Sequence, residues 1–339
     1  MAADFIPPAK PIIGDDERAA VDRVLRSGMI AQGPEVAAFE QEFAEHFVEG
    51  RPTVAVNSGT SGQHLGLLAS GVGAGDEVIV PSFTFAATGN SVALTGATPV
   101  FADIEPRTFT LDPASVRAAI TPRTKGIMPV HLYGHPFLVD EIEAIAREHG
   151  LAIYEDAAQA HGASWQGRPV GTIGDFAMFS LYPTKNMTSG EGGMVSCATE
   201  ETARGVRLLR NQGMERQYEN EVVGFNARMT DIHAAIGRVQ LTKVGGWTAQ
   251  RQRNAAVLNA GLADVDGVRT PEVLEGAVHV YHQYTIRVDA SERDRIRQAL
   301  QDEHQVGSGV YYPIPNHRLP SLQKFAPGVE LPETERAAS

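Results

Sequence analysis

Apolar and polar positions along the chain fall into two alternating rhythms. From Asp15 to Ser27 the apolar side chains Ala20, Val21, Val24 and Leu25 recur at helical spacing, and Gly28 follows as a stop signal. Gly33-Pro34 then opens a second helix with the stripe Val36, Phe39, Phe43 and Phe47. From there to about residue 200, short apolar runs alternate with helical segments. The runs Thr53–Val56, Glu77–Val80, Thr98–Phe101, Gly126–Val130 and Leu151–Tyr154 predict strands, while Thr60–Ser70, Ala86–Thr95, Pro113–Ile120 and Val139–His149 predict helices between them. This alternation predicts an α/β domain around a mainly parallel sheet, which Asp175–Ser180 and Gly193–Cys197 extend.

Long helical stretches follow over Glu200–Arg210, Met229–Lys243 and Trp247–Leu262, the last two separated only by Val244-Gly245-Gly246. Beyond Gly267 the texture changes. His279–Val288 alternates like an exposed edge strand, Ser291–Glu303 is helical in pattern, and Tyr311–Pro320 is rich in proline and aromatics. A domain boundary is therefore placed near residue 240, giving a large α/β domain over 1–240 and a smaller α+β domain over 241–339.

Length and composition agree with this division. The chain has 339 residues, 42% of them hydrophobic and 21% charged, which suits a soluble globular protein of about two domains. Its 29 Lys+Arg against 41 Asp+Glu give a formal charge of −12, the wrong sign for a general nucleic-acid binder. Cys197 is the single cysteine, which excludes an intrachain disulfide and a cysteine zinc cluster and points to a reducing, cytoplasmic compartment. The first residues lack the basic start and apolar stretch of an export signal. Residues 78–102 carry no charge, but Pro81, Gly89, Asn90, Gly96 and Pro99 interrupt them, so no membrane span is expected.

Candidate chemistry gathers where strands end. In open α/β sheets ligands bind beyond the carboxyl ends of strands, and Asp156 stands just past the run Leu151–Tyr154. Lys185 follows one strand and one Pro-bearing turn later. Alone, an aspartate and a lysine read as a solvated ion pair. Converging on one cleft, they suit pyridoxal 5'-phosphate (PLP), which needs a lysine amine and an acid beside its pyridine nitrogen. Asn57-Ser-Gly-Thr-Ser-Gly62, between a strand and a helix, offers free N–H groups to a phosphate, and Ser180 can add a hydroxyl. Phe85 begins a helix near another strand end, where its ring can stack on a flat cofactor or simply join the core. His131 and His135 have the spacing of a zinc pair, but Leu-Tyr-Gly between them and Pro136 after them describe a loop, so no metal site is expected.

Six segments in order carry a resemblance: Asn57-Ser-Gly-Thr-Ser, Pro81-Ser-Phe-Thr-Phe-Ala-Ala-Thr, Glu155-Asp-Ala-Ala-Gln-Ala-His-Gly-Ala, Ser180-Leu-Tyr-Pro-Thr-Lys-Asn, Gly190-Glu-Gly-Gly and Gly224-Phe-Asn-Ala-Arg-Met-Thr-Asp. The chain resembles the DegT/DnrJ/EryC1/StrS aminotransferases, fold-type I PLP enzymes that mostly aminate keto groups of nucleotide-linked sugars. The resemblance implies that Lys185 forms the Schiff base with the cofactor and later moves the proton between substrate carbon and C4′. It implies Asp156 at the pyridine nitrogen, Gln159 near the ring 3-hydroxyl, Gly59, Thr60 and Ser180 at the phosphate, and Phe85 over the ring. It further implies that Asn226 reaches the phosphate of a neighbouring subunit's cofactor, so that the active sites are shared in a homodimer. Arg228 would meet the carboxylate of the donor, L-glutamate, and the segment Tyr311-Tyr-Pro-Ile-Pro-Asn-His317 would border the nucleotide-sugar acceptor through Tyr311 and His317.

Competing readings are an aminotransferase for a non-sugar ketone such as a cyclitol, a sugar dehydrase of the same family, which would lack the lysine present here as Lys185, and a non-catalytic PLP-binding regulator. The acidic charge and the lack of a basic helix-turn-helix segment weigh against the regulator. Relatives typically run on past Leu331-Pro-Glu-Thr-Glu335, so the small domain is expected to be shortened and loosely tied beyond about residue 320.

Overall fold

The computed structural model describes residues 5–339. Helix α1 (Asp15–Ser27) begins behind Gly14, whose N–H donates to Glu17 Oε2 at 2.8 Å, and stops at Gly28, which takes a left-handed φ of 73°. Helix α2 (Pro34–Phe47) buries its expected stripe of Val36, Phe39, Phe43 and Phe47. The predicted alternation then follows: β1 (Thr53–Val56), α3 (Gly59–Ala69), β2 (Glu77–Pro81), α4 (Ala87–Leu94), β3 (Thr98–Ala102), α5 (Pro113–Ala119), β4 (Thr124–Ile127), α6 (Val139–His149) and β5 (Ala152–Asp156). After the short pair β6 (Ser164–Trp165) and β7 (Arg168–Pro169) come β8 (Phe176–Ser180) and β9 (Gly193–Cys197).

Seven of these strands form one sheet in the order β1-β9-β8-β5-β4-β2-β3, in which β9 runs antiparallel to both neighbours and every other pairing is parallel. All residues of β1, β2, β8 and β9 are buried, as expected of a sheet covered on both faces. The parallel strands bring the carboxyl ends of β1, β2, β5 and β8 to one edge. Strand β4 stops at Ile127 rather than Val130, because Val130 meets only a single bridge, to Asp156.

Beyond the sheet, α7 (Glu200–Arg210) precedes a small hairpin, β10 (Met214–Arg216) and β11 (Glu219–Asn220). Where two helices were expected there is one, α8 (Asp231–Leu262), 32 residues long and continuous through Gly245-Gly246. Each helical glycine costs about 1 kcal/mol, but Val244 and Trp247 on either side pack into the core with α2, and that anchoring outweighs the cost. Residue 240 falls inside this helix.

The edge strand expected over His279–Val288 does not form. Within it only Arg287 meets a single antiparallel bridge, to Arg269, and β12 (Ala277–Val278), just before it, pairs with β6; side chains take the carbonyls between, where Gln252 donates to His279 O, Asn186 to Val280 O, and Arg251 to Tyr281 O and His282 O, each at 3.1 Å. Helices α9 (Arg293–Asp302) and α10 (Pro332–Ala338) complete the chain. The segment expected to be loosely tied is anchored instead. Leu322, Ala326 and Leu331 bury against Val92 and Phe101, and the Asp103 carboxylate accepts the N–H groups of Glu333 at 3.0 Å and Thr334 at 2.7 Å. Among the described residues, no helix is long and apolar enough to cross a membrane.

Candidate active site

Asp156 ends β5, where its backbone N–H donates to Pro129 O at 2.9 Å and its carbonyl accepts from His131 N–H at 3.0 Å. Its side chain is 4% exposed and turned to the sheet edge. Oδ2 accepts from Gln63 Nε2 at 2.5 Å and from Thr88 Oγ1 at 2.8 Å, and Oδ1 accepts from Ala158 N–H at 3.2 Å. Burial pushes the carboxyl above its ordinary value against the pull of Thr88, Ala158, the Lys185 charge and Gln63. Lys185 sits in the turn after β8, its N–H bonded to Tyr182 O at 2.9 Å. Burial lowers its ammonium from the ordinary lysine range, opposed by the charge of Asp156. The predicted acid and amine therefore share one low-dielectric site.

Behind the lysine lie two histidines to which sequence reasoning gave no role. His161 is fully buried among Phe43, Phe47 and Phe179, and neither ring nitrogen finds a hydrogen-bond partner. Burial, then the charge of Lys185, lowers it to about 3. Buried His282, 3.3 Å from Asn186 Oδ1, is depressed for the same two leading reasons. Both rings are neutral beside the amine.

The start of α3 forms the second wall. The Ser58 hydroxyl caps the helix by accepting Ser61 N–H at 3.1 Å, leaving the amino end over Gly59 and Thr60. A Cβ at Gly59 would stand 3.0 Å from Met178 Sδ and 3.2 Å from Ser180 Cβ, so only glycine lets the helix come this close to the end of β8. Buried Ser180 thus faces a helix amino terminus, a donor set that suits a phosphate.

Gln159 forms the third wall. Its Oε1 accepts Tyr133 N–H at 2.6 Å and its Nε2 donates to Tyr312 OH at 2.9 Å. Tyr133 and Tyr312 both hold left-handed backbone angles, φ 58° and 55°, and their rings stack with centroids 6.4 Å apart, so packing sustains two strained residues beside the site. Phe85, 65% exposed, and Tyr311, 37% exposed, stand open at this edge of the molecule. Gln63, Thr88, Tyr133 and Tyr312 were missed; each belongs to another element, and only the fold brings it to β5.

Other predicted residues are placed differently. His317 is 1% exposed and cannot offer its ring to a substrate as expected. Its Nδ1 lies 2.6 Å from Ser82 Oγ and its Nε2 3.1 Å from Glu335 Oε1, so it ties the C-terminal segment to the loop after β2. Arg228 bridges β1 at Val56, and its Nη1 donates to Asn211 Oδ1 at 2.9 Å. Asn226 is exposed on the same segment. His131 is paired with buried Glu155 at 3.0 Å, while His135 accepts Leu274 N–H at 3.1 Å, so the two rings serve separate core contacts.

Residues 11–339 match the DegT/DnrJ/EryC1/StrS aminotransferase family. A dTDP-3-amino-3,4,6-trideoxy-alpha-D-glucose transaminase from Streptomyces venezuelae is 42% identical over 322 residues, covering 94% of this chain and 84% of the relative. Among solved structures, S. venezuelae DesV in complex with a ketimine intermediate superposes with a TM-score of 0.92 at 40% identity, over 98% of this chain and 91% of that one. NtdA from Bacillus subtilis, with bound cofactor PMP, gives a TM-score of 0.90 at 32% identity, over 99% of this chain and 79% of that one. With the acid and the half-buried amine assembled at one sheet edge beside the amino end of α3, the chain belongs to the DegT/DnrJ/EryC1/StrS aminotransferase family and is a fold-type I, PLP-dependent aminotransferase.

Proposed function

We propose that the enzyme transfers an amino group from L-glutamate to the keto group of a nucleotide-linked deoxysugar. The observation that carries this reading is the half-buried Lys185 amine sharing a site with Asp156 at the carboxyl ends of β5 and β8. The Streptomyces venezuelae relative, named as a transaminase of a dTDP-linked amino sugar, supports the substrate class.

The residues fit the cofactor. Gly59, Thr60 and Ser180 would hold its phosphate, Asp156 its pyridine nitrogen, Gln159 its 3-oxygen, and Phe85 would cover its ring. Bound there, PLP supplies an electron sink for the carbanion left when a proton departs from the carbon bearing nitrogen. The protein does the rest. Lys185, its proton affinity lowered by burial, would be the amine that holds the cofactor and, when free, the base that would take the proton from the donor carbon and deliver it to the cofactor carbon. Neutral His161 and His282 add no competing positive charge there. Arg228 suits the donor carboxylate as a planar guanidinium, and Tyr311 borders the acceptor.

The same reading includes a homodimer in a cytoplasmic setting. Exposed Tyr218, Val222, Val223 and Phe225 stand beside exposed Asn226, and a second copy covering them would bring Asn226 toward the other subunit's phosphate cradle. Adding PLP to the purified protein should produce a visible absorption band that L-glutamate bleaches. A panel of nucleotide-linked keto sugars should restore it with formation of amino sugar. Bleaching without restoration by any sugar, alongside restoration by a cyclitol ketone, would sink the sugar assignment.

A further inference from the structure

Gln63 occupies an unusual position for an amide. It lies on the buried face of α3, where the other buried residues are Gly59, Gly62, Leu65, Gly66 and Leu67, and it is itself 1% exposed. Its Oε1 has no hydrogen-bond partner. A buried carbonyl left unpaired is destabilising, and an apolar side chain of the same length would fill the space without stranding one. What the amide supplies in return is a single bond, Nε2 to Asp156 Oδ2 at 2.5 Å. Thr88 Oγ1 reaches the same oxygen at 2.8 Å, so Oδ2 is filled by two donors. Oδ1 receives only the long bond from Ala158 N–H at 3.2 Å and keeps acceptor capacity free.

We infer that Gln63 is a positioning residue for the transamination: it holds the Asp156 carboxylate ionised, with Oδ2 occupied and Oδ1 free to meet the cofactor's pyridine nitrogen. The inference rests on the reading that Asp156 pairs with that nitrogen. In a site where burial favours the neutral acid, each donor aimed at the carboxylate favours the anion. The ionisable groups facing Asp156 are Lys185, from the turn after β8, and Tyr312, from the C-terminal segment. α4 contributes none, and the one on α3, His64, turns away to Phe225. Glu155 on β5 points to the opposite face, where it bonds His131. Among neutral side chains, Gln63 and Thr88 alone donate to this carboxylate.

The test is the acid limit of cofactor binding. PLP-loaded wild type, Gln63→Met and Gln63→Leu are dialysed across pH, and the retained visible band is measured. Losing one donor should raise the midpoint of cofactor loss by about 1 pH unit, while retention at pH 8 and the melting temperature of the cofactor-free protein stay at or above wild type. Two substitutions of different length separate donor loss from a packing defect, which would weaken binding equally at every pH. Unchanged midpoints in both variants, or a loss uniform in pH, would overturn the role of Gln63 while leaving the proposed function intact. A wild-type protein that forms no visible band with PLP would overturn both.

Discussion

Glu155 and Asp156 are consecutive acids on one buried strand, and the pleat sends them to opposite faces of the sheet. On one face Glu155 accepts the N–H groups of Gly171 and Ile173 at 2.9 Å and Gly174 at 2.8 Å, and meets His131 Nε2 at 3.0 Å. Its lone pairs are spent on a loop that closes the core. Burial alone would raise its pKa, but His131 and the loop N–H groups reverse the sign and hold it below the ordinary carboxylate value. On the other face Asp156 has fewer donors, a lysine nearby, and a carboxyl that burial holds above its ordinary value. An acid that is fully satisfied locks a fold; an acid left short of partners awaits a ligand.

The largest effect belongs to the ligand-facing side. Lys185→Ala should cut turnover by about 10³-fold or more and abolish the visible band with PLP. Asp156→Asn should cost about 10²-fold in turnover, as the positioned negative charge is lost, yet leave the melting temperature of the cofactor-free protein at or above wild type, because a buried charge is removed. Glu155→Gln should do the reverse. Turning an amide toward three N–H donors and His131 should cost about 3 kcal/mol of stability, read as a fall in melting temperature of several degrees. The band of bound PLP should stay in place. A Glu155→Gln protein that melts normally but loses its band would erase the distinction between the two faces.

Acid titration should separate the same pair by sign. Glu155 has a lowered folded pKa, so its contribution is present above its unfolded value of about 4.3 and is lost as pH falls through the folded value. For Asp156 the folded pKa is raised. Its ionisation opposes folding of the cofactor-free protein, a cost absent below its unfolded value of about 3.9 that builds as pH rises through the folded value. Denaturant unfolding against pH should therefore show Glu155→Gln with a flatter acid limb and Asp156→Asn with a gain confined to higher pH. Parallel curves for the two variants would contradict the assignment.

How much of this was legible depended on how local the cause was. The sheet could be read because both of its faces are covered, so that runs such as Thr53–Val56 are apolar throughout, and Asp156, Ser180 and Gly59 could be read because they sit where such runs end. Gln63, Thr88 and Tyr312 could not, since nothing local marks a residue whose partner is distant in the chain. The same holds for the C-terminal segment, which is secured by Asp103 from the end of β3. His317 misled for a related reason: a histidine in an aromatic, proline-rich segment reads as a ligand contact until Ser82 and Glu335 are found on its two nitrogens.

Tyr312 should give the smallest effect, and it lies between the two behaviours. Its hydroxyl accepts from Gln159 Nε2, which joins the C-terminal segment to the loop after β5 on the ligand-facing side. Burial holds the phenol well above its ordinary range, so it is protonated across the working pH, and its own O–H is free of that bond to donate elsewhere. In Tyr312→Phe, Gln159 would keep its bond from Tyr133 N–H and lose one neutral partner, a cost of about 1 kcal/mol. Ring stacking with Tyr133 would remain. The expected outcome is a turnover about five-fold lower, with the melting temperature nearly unchanged and a small shift of the bound-PLP band, because the Gln159 amide is freer to turn. A loss as large as that of Asp156→Asn would make the hydroxyl a direct participant in the reaction, whereas a stability defect without any spectral change would move Tyr312 to the structural side with Glu155.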